Sequence, residues 1–433
     1  MVPREPPVRI LFINQYFNPD LASTGQLLTE LAVGLSERHS VTVVTGFPSY
    51  SSGGNRPRNW RLLGTEKMDG VRVIRTFTTG FSRRSLPGRV LNYLTFFASS
   101  LLVALLASRD TEIVVTMTDP PIIALVGYVV SRLRGTRFVF INQDVFPEVA
   151  QALGKLNTGP TAWLLDILNR FLLKRSDGIV AIGETMRKRL IDKGASRDSV
   201  SVIENWVDTE LITPQEKANP FSQKHGLCGR FVVMHSGNIG LSQDLDTLID
   251  AANLMRSNDQ VEFVIVGDGV SKHRLRERVK HLSLGNVRFL PYQERETLKH
   301  SLSSADLSVV SLKKGLAGYI VPSKIHGILA SGRPVLAAVE DECEVAEIVR
   351  RENCGTVVEP GNARQMAQVI EALSGRQDLL EEQGRNGRLA AERRYSRRSA
   401  VARYANLFEE IHSGGRSLHT AKEEDQWNTQ IDS

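Results

Sequence analysis

Short, largely apolar runs recur along this chain, each followed by a polar turn and then by a stretch with apolar residues at every third or fourth position. Val8–Asn14, Val41–Gly46, Val71–Thr76, Ile113–Met117, Arg137–Asn142, Asp177–Gly183 and Val200–Asp208 are such runs in the first half. Strands that are apolar on both faces belong in parallel sheets covered by helices on both sides. The intervening helical stretches are Gln26–Arg38, Leu91–Ser108, one from Pro121, Leu164–Lys174 and Glu184–Gly194. Thr213–Gln223, with two prolines among polar residues, breaks the rhythm and reads as a linker. The pattern then restarts with Phe231–Asn238, Glu262–Gly269, VRFLPY, Asp306–Leu312, PVLAAV and Gly355–Pro360, separated by helices from Gln243, over His273–His281 and from Glu294. A helix from Ala367 and an Arg-rich one over Gln383–His412 close the chain. Strand–helix alternation in both halves predicts an α/β protein with two doubly wound parallel sheets.

In 433 residues there is room for two full cores. The predicted division is an amino-terminal domain over 1–213, a carboxy-terminal domain over 214–390, a helix over 391–412 that packs back toward the first domain, and a disordered tail over 413–433. A net charge of +6 falls short of a nucleic-acid binder and suits anionic substrates or a membrane surface. Three cysteines without metal or redox spacing imply a reducing compartment, and the nine histidines form no ligand pattern, so no metal site is expected. Leu91–Ser108 would extend about 27 Å as a helix, with Asn and Ser inside it. It reads as a buried helix with one edge against lipid headgroups, approached by Arg83, Arg84 and Arg89; a transmembrane span is the alternative.

Glycine-bearing turns follow strands in both halves: Thr24–Gly25, Gly237–Asn238, Gly267–Gly269 and Gly315–Gly318. Strand ends of this kind are where open α/β sheets bind ligands. In GLAGYIVPSKIHGILASG (Gly315–Gly332), Gly318 and Tyr319 lead to Pro322 and Ser323 at a helix start, with Lys324 in its first turn. Unpaired backbone N–H groups, the helix dipole and one lysine outline a phosphate site; a plain strand–helix connection with a solvated lysine is the other reading. The dinucleotide fingerprint is absent, because Lys272 stands where its third glycine belongs, and no P-loop occurs. Asp244–Asp246 reads as a helix start rather than a metal site.

The segments SGNIGLSQDLDTLIDAA, VEFVIVGDG, NVRFLPY, GLAGYIVPSKIHGILASGRPV and NCGTVVEPGN, in this order, resemble the carboxy-terminal domain of family 4 glycosyltransferases. STGQLLTELAVGLSERHSVTVVTGFPSY, QDVFPE and SVIENWVD resemble their amino-terminal domain, and the match is most similar to the WbuB-like, fucosamine-transferring branch. The resemblance implies a GT-B fold, two Rossmann-like domains facing a cleft. It also implies a retaining, metal-independent transfer with no cofactor beyond a nucleotide-diphosphate sugar co-substrate, UDP-linked, toward a lipid-linked glycan acceptor at the inner face of the cytoplasmic membrane. Lys324 would then stabilise the leaving diphosphate, and Gly25 would let backbone approach it. Asp144 in QDVFPE would activate the acceptor or bind the donor sugar; an N-cap role remains open for it, and for Glu148. The family's paired glutamates fall at Tyr319 and Gly327, and its basic pair falls at Ser242–Gln243, so both are missing. Glu344 is the acid expected to hold the ribose instead, against the alternative of a first-turn charge that complements a helix dipole. A nucleotide-sugar epimerase and a non-catalytic sugar-nucleotide or membrane-surface scaffold are the competing functions.

Overall fold

The computed structural model describes residues 6–20, 22–48, 62–81 and 86–414. Arg83, Arg84, most of the Ser- and Gly-rich loop before residue 62 and the predicted tail beyond 414 lie outside the described residues. The chain forms two Rossmann-like α/β units. The first sheet contains β1 (Arg9–Ile13), β2 (Ser40–Gly46), β3 (Leu63–Met68), β4 (Val71–Thr76), β5 (Ile113–Met117), β6 (Arg137–Asn142), β7 (Gly178–Ala181) and β8 (Val200–Val202). Their order is β3-β4-β2-β1-β5-β6-β7-β8. The second holds β9 (Phe231–Ser236), β10 (Val261–Val266), β11 (Val287–Leu290), β12 (Leu307–Ser311), β13 (Val335–Ala338) and β14 (Gly355–Val358), ordered β11-β10-β9-β12-β13-β14. Both strand orders reverse direction once, between β1 and β5 and between β9 and β12. These are the switch points where such sheets open a ligand crevice.

All pairings are parallel except β3 with β4, a hairpin turned at Asp69–Gly70, both with positive φ. The sequence reading has no strand at 63–68, because β3 is polar and largely exposed and shows no apolar run.

Among the described residues, fifteen α-helices cover the sheets: α1 (Ser23–Ser36), α2 (Leu86–Ala107), α3 (Ile123–Arg134), α4 (Glu148–Ala152), α5 (Pro160–Arg175), α6 (Glu184–Asp192), α7 (Pro220–Lys224), α8 (Leu245–Leu254), α9 (Lys272–His281), α10 (Leu298–Ser303), α11 (Lys324–Ala330), α12 (Glu344–Arg351), α13 (Ala363–Ser374), α14 (Gln377–Arg393) and α15 (Arg397–His412). The Arg-rich stretch expected as one helix is thus two. The helix breaks at Arg394–Ser396, where Tyr395 is fully buried and Ser396 caps α15 by accepting from the Ser399 N–H. The break also pairs two crossing segments: Val207 N–H donates to the Tyr395 carbonyl (2.8 Å), and Arg397 N–H to the Val207 carbonyl (3.0 Å). Beyond it, Ala400, Tyr404 and Phe408 of α15 join Phe12, Leu28 and Leu31 in the core of the first sheet.

Candidate functional site

On the carboxy-terminal side, the turn after β9, the turn after β10 and the start of α11 meet at the sheet's switch point. The turns fit only because they are glycines. A Cβ at Gly267 would lie 1.9 Å from the Gly237 carbonyl oxygen, and Gly237, Gly267 and Gly269 all have positive φ. Ile239 N–H donates to Asp268 O (2.8 Å), which locks the two turns together. Lys272 folds back onto the Gly267 carbonyl (2.7 Å), so it braces the turn.

Lys324 reaches this same corner. Its Nζ lies 3.1 Å from His235 Nε2, and its side-chain end is the nearest atom group to the Cβ direction of Gly237. The side chain is partly buried, and burial lowers its pKa to about 7. Among the described residues no carboxylate forms an ion pair with it. A half-buried cation without a protein anion beside a cluster of open turns is suited to an external anion.

On the amino-terminal side, the first residues past β1, β5 and β6 converge. Thr24, in the first turn of α1, donates to Asp119 Oδ2 (3.1 Å), and Asp119 lies close enough to Asp144 to act on its titration. Burial first, then the like charge of Asp119, raises the Asp144 pKa to about 7, against a lowering by Lys155. A carboxyl poised near neutrality at a strand end has the protonation range of a general acid or base. Glu148 does not share this position, for it is ion-paired with buried Lys193. The sequence reading singled out none of Asn14, Gln15, Thr118, Asp119, Gln143 and Asn205, which form the polar lining here, all buried except the half-buried Asp119. Gln143 and Asn205 hold each other through reciprocal amide bonds of 3.1 and 2.8 Å. Polar residues at the very ends of apolar strands (IN-Q, MT-D, IN-QD) were the available signal.

The loop between β12 and α11 joins the two walls. Asp144 and Ile320 form an antiparallel bridge, and Val145 N–H donates to the Tyr319 carbonyl (2.8 Å). Tyr319 and Val321 pack against the core of the first unit, and the Arg189 guanidinium lies 4.9 Å over the Tyr319 ring. Three expectations therefore need correction. The Gly315 and Ala317 N–H groups are not open donors, because Glu340 Oε2 accepts from both (2.9 and 3.4 Å). The lack of a side chain at Gly25 serves a contact inside the protein: a Cβ there would press at 3.1–3.3 Å on Tyr16 and the Tyr16–Phe17 backbone. Glu344 does not face the cleft. It is buried, and its Oε1 accepts from the Met186 N–H (2.7 Å) at the start of α6, in the other unit. A Cβ on Gly183 would fall 2.1 Å from Glu344 Cγ, so the contact requires glycine there.

A prediction follows from that last geometry. Glu344→Ala should lower stability by about 1.5–3 kcal/mol, the range for a hydrogen bond to a charged group, and leave nucleotide affinity unchanged. Denaturant unfolding and calorimetric titration with UDP separate the two; a weakened UDP affinity would restore the ribose role. Elsewhere, Asp246 is taken up by Arg274 and Arg278, and Asp244 by Thr247, which leaves the Asp244–Asp246 pair structural. Pro322 is buried and Ser323 exposed at the mouth of α11.

Comparison with known proteins gives concordant findings. Residues 219–390 match the family described as glycosyl transferases group 1, and residues 24–206 match the glycosyl transferase 4-like domain. The chain is 26% identical over 416 residues to the putative colanic acid biosynthesis glycosyl transferase WcaI of Escherichia coli (strain K12), covering 92% of this chain and 99% of that protein. It is 27% identical over 273 residues to the probable glycosyltransferase WbjE of Pseudomonas aeruginosa, covering 61% and 67%. Among solved structures, Anabaena HepE in complex with UDP-glucose superposes with a TM-score of 0.70 at 17% identity, over 93% of this chain and 99% of that one. Sucrose-phosphate synthase from Thermosynechococcus elongatus gives 0.75 at 16%, over 94% and 100%. At these identities the structural likeness shows the GT-B fold.

Proposed function

Starting from a chain that belongs to the group 1 glycosyltransferases, we propose that it transfers a sugar from a nucleotide-diphosphate donor, UDP-linked, to a polyprenyl-linked or glycan acceptor in surface polysaccharide assembly. The sugar is an N-acetylated amino or deoxyamino sugar, as in the WbuB-like branch, and the transfer is retaining and metal-independent. The observation that carries this is the pairing of walls: Lys324 without a protein anion on one side, and Asp144 bridged to the Lys324 loop from the other. The nucleotide sugars bound by HepE and the polysaccharide role in the WcaI name support the substrate classes.

In this reading, Lys324 and the Gly237–Asn238 turn take the charge that builds on the leaving diphosphate. Asp144, in its ionised form, accepts a hydrogen bond or proton from the reacting hydroxyl, and Asp119 with Thr24 sets its proton affinity. The test is release of nucleoside diphosphate across a panel of UDP-, GDP- and TDP-sugars, with and without a polyprenyl-diphosphate-sugar acceptor. Acceptor-dependent release supports transfer. Epimerised donor without acceptor would favour the epimerase, and donor binding without turnover would favour the scaffold.

The acceptor class directs attention to α2. Within its 21-residue stretch Pro87–Ala107, an 18-residue window has a mean hydropathy of 2.0, and the helix is long and apolar enough to cross a membrane. However, Phe96, Ser100, Ala104 and Ser108 are buried, and Phe96 and Ala104 close the core around Leu11, Ile13, Val44 and Val114. Leaving the sheet to span a bilayer would uncover that core. The opposite face, with Leu91, Leu94, Leu102 and Leu106, is exposed and lies against lipid in the proposed arrangement at the inner face of the cytoplasmic membrane. Changing Arg83, Arg84 and Arg89 together to Ser should weaken co-sedimentation with anionic liposomes by about 1 kcal/mol per residue, fading with salt. Binding that ignores salt and needs detergent for extraction would favour the span.

A further inference from the structure

His235 has no part in the scheme above, yet it is fully buried at the end of β9 with its Nε2 3.1 Å from Lys324 Nζ. While Lys324 is an ammonium it only donates, so Nε2 then carries the lone pair and the ring proton sits on Nδ1. Burial, reinforced by the neighbouring lysine, keeps the imidazole neutral, well below its usual range. Among the described residues, none of the groups around Lys324 forms an ion pair with it. The turn over Ser236–Ile239 offers backbone and the Asn238 amide. Gln243, where the resemblance expects a basic residue, is buried and spends its Oε1 on the Gly240 N–H (3.0 Å). In the turn after β10, Asp268 points to solvent beside Lys272. On α11 itself, His326 is turned away against the Tyr395 ring, 5.2 Å between centroids. Asp119 and Asp144 stand on the opposite wall, in the other unit.

We propose that His235 is a positioning residue whose neutral imidazole holds the Lys324 amine toward the Gly237–Asn238 turn, so that binding of the donor's diphosphate is coupled to protonation of that lysine. The inference rests on the reading of this corner as the donor site and adds its regulation by pH. The physical reason is the placement of a single partly buried lysine with a neutral partner. Without ligand the ammonium has lost water and gained only an imidazole lone pair, so it releases its proton readily. A diphosphate at the turn supplies two anionic groups, and the proton stays. With the free amine titrating at about 7, the protonated share falls about tenfold between pH 6 and pH 8, and donor affinity falls with it.

The experiment uses the full chain and the tightest-binding member of the UDP-, GDP- and TDP-sugar panel. In a nucleotide sugar the diphosphate is a diester that does not titrate in this range, unlike free UDP. Calorimetry at pH 6 and 8 should show the tenfold loss. At pH 8, buffers of different ionisation heat should report uptake of a proton on binding. His235→Phe keeps the ring volume but removes the acceptor; it should weaken binding about tenfold at pH 7.5 and move the pH midpoint downward. His235→Gln, which restores an acceptor, should return the midpoint toward that of the unmodified protein. His235→Asn, with shorter reach, gives the same downward shift where the phenylalanine variant fails to fold. A merely structural histidine would change the melting temperature and leave the midpoint in place. Affinity independent of pH in the unmodified protein overturns the coupling, and a His235→Phe or His235→Asn variant with unaltered affinity and midpoint overturns the positioning role. If no panel member binds the unmodified protein at any pH, the donor-site reading itself fails, and this inference with it.

Discussion

Lys324→Ala is expected to keep the fold and lose about a hundredfold in turnover. Removing one donor from the charge developing on a leaving group typically raises the barrier by on the order of 3 kcal/mol. The effect should reach that size here because, among the described residues, the other polar side chains of the corner are engaged with backbone, Gln243 with the Gly240 N–H and Lys272 with the carbonyl of its own turn. The fold should survive because Lys324 forms no ion pair among the described residues, and Ile325, Ile328 and Leu329 hold α11 in the core. Initial rates under saturating donor, with a thermal melt of the same preparation, decide the matter. A variant that turns over at nearly the unmodified rate would remove Lys324 from the mechanism.

Asp144→Asn should reduce turnover on the order of 10²–10⁴-fold, the range for a lost acid–base group. The pH dependence gives a second handle. The reading requires Asp144 ionised and Lys324 protonated, and both titrate at about 7 in the free protein. As pH rises through 7 Asp144 gains its charge and kcat/KM rises; as it rises further Lys324 loses its proton and kcat/KM falls. The profile should be a narrow bell centred near neutrality. Asp119→Asn removes the like charge that is the second cause of the Asp144 shift, so the acid limb should move to lower pH. An acid limb that stays in place in Asp119→Asn would separate it from Asp144.

Most of the parallel strands were legible because both of their faces are buried, which writes them as largely apolar runs, and the linker was legible from its prolines. Polar β3 was not, although the Asp69–Gly70 pair before Val71 carries the usual mark of a two-residue hairpin turn. The break between α14 and α15 was hidden for a different reason. Arg394–Ser396 contains no glycine or proline, and what stops the helix is a tertiary pairing with Val207, 189 positions away in sequence if counted from Ser396. The Lys324 corner could be read locally, since glycines, a helix start and a lysine fall within one stretch. Its partner His235 could not, for nothing in FVVMHSGN distinguishes a buried histidine from an ordinary core residue. Glu344 misled because its position suited both a cleft ligand and a cap, and the helix it caps belongs to a distant part of the chain.

The most direct test of the central claim is a crystal structure of the full chain with UDP bound. The account places the diphosphate within about 3.5 Å of Lys324 Nζ, against the Gly237–Asn238 turn, with its open end directed toward Asp144 and with Glu344 still on the Met186 N–H. A nucleotide seated elsewhere, with Lys324 and His235 left in contact only with each other, would contradict it.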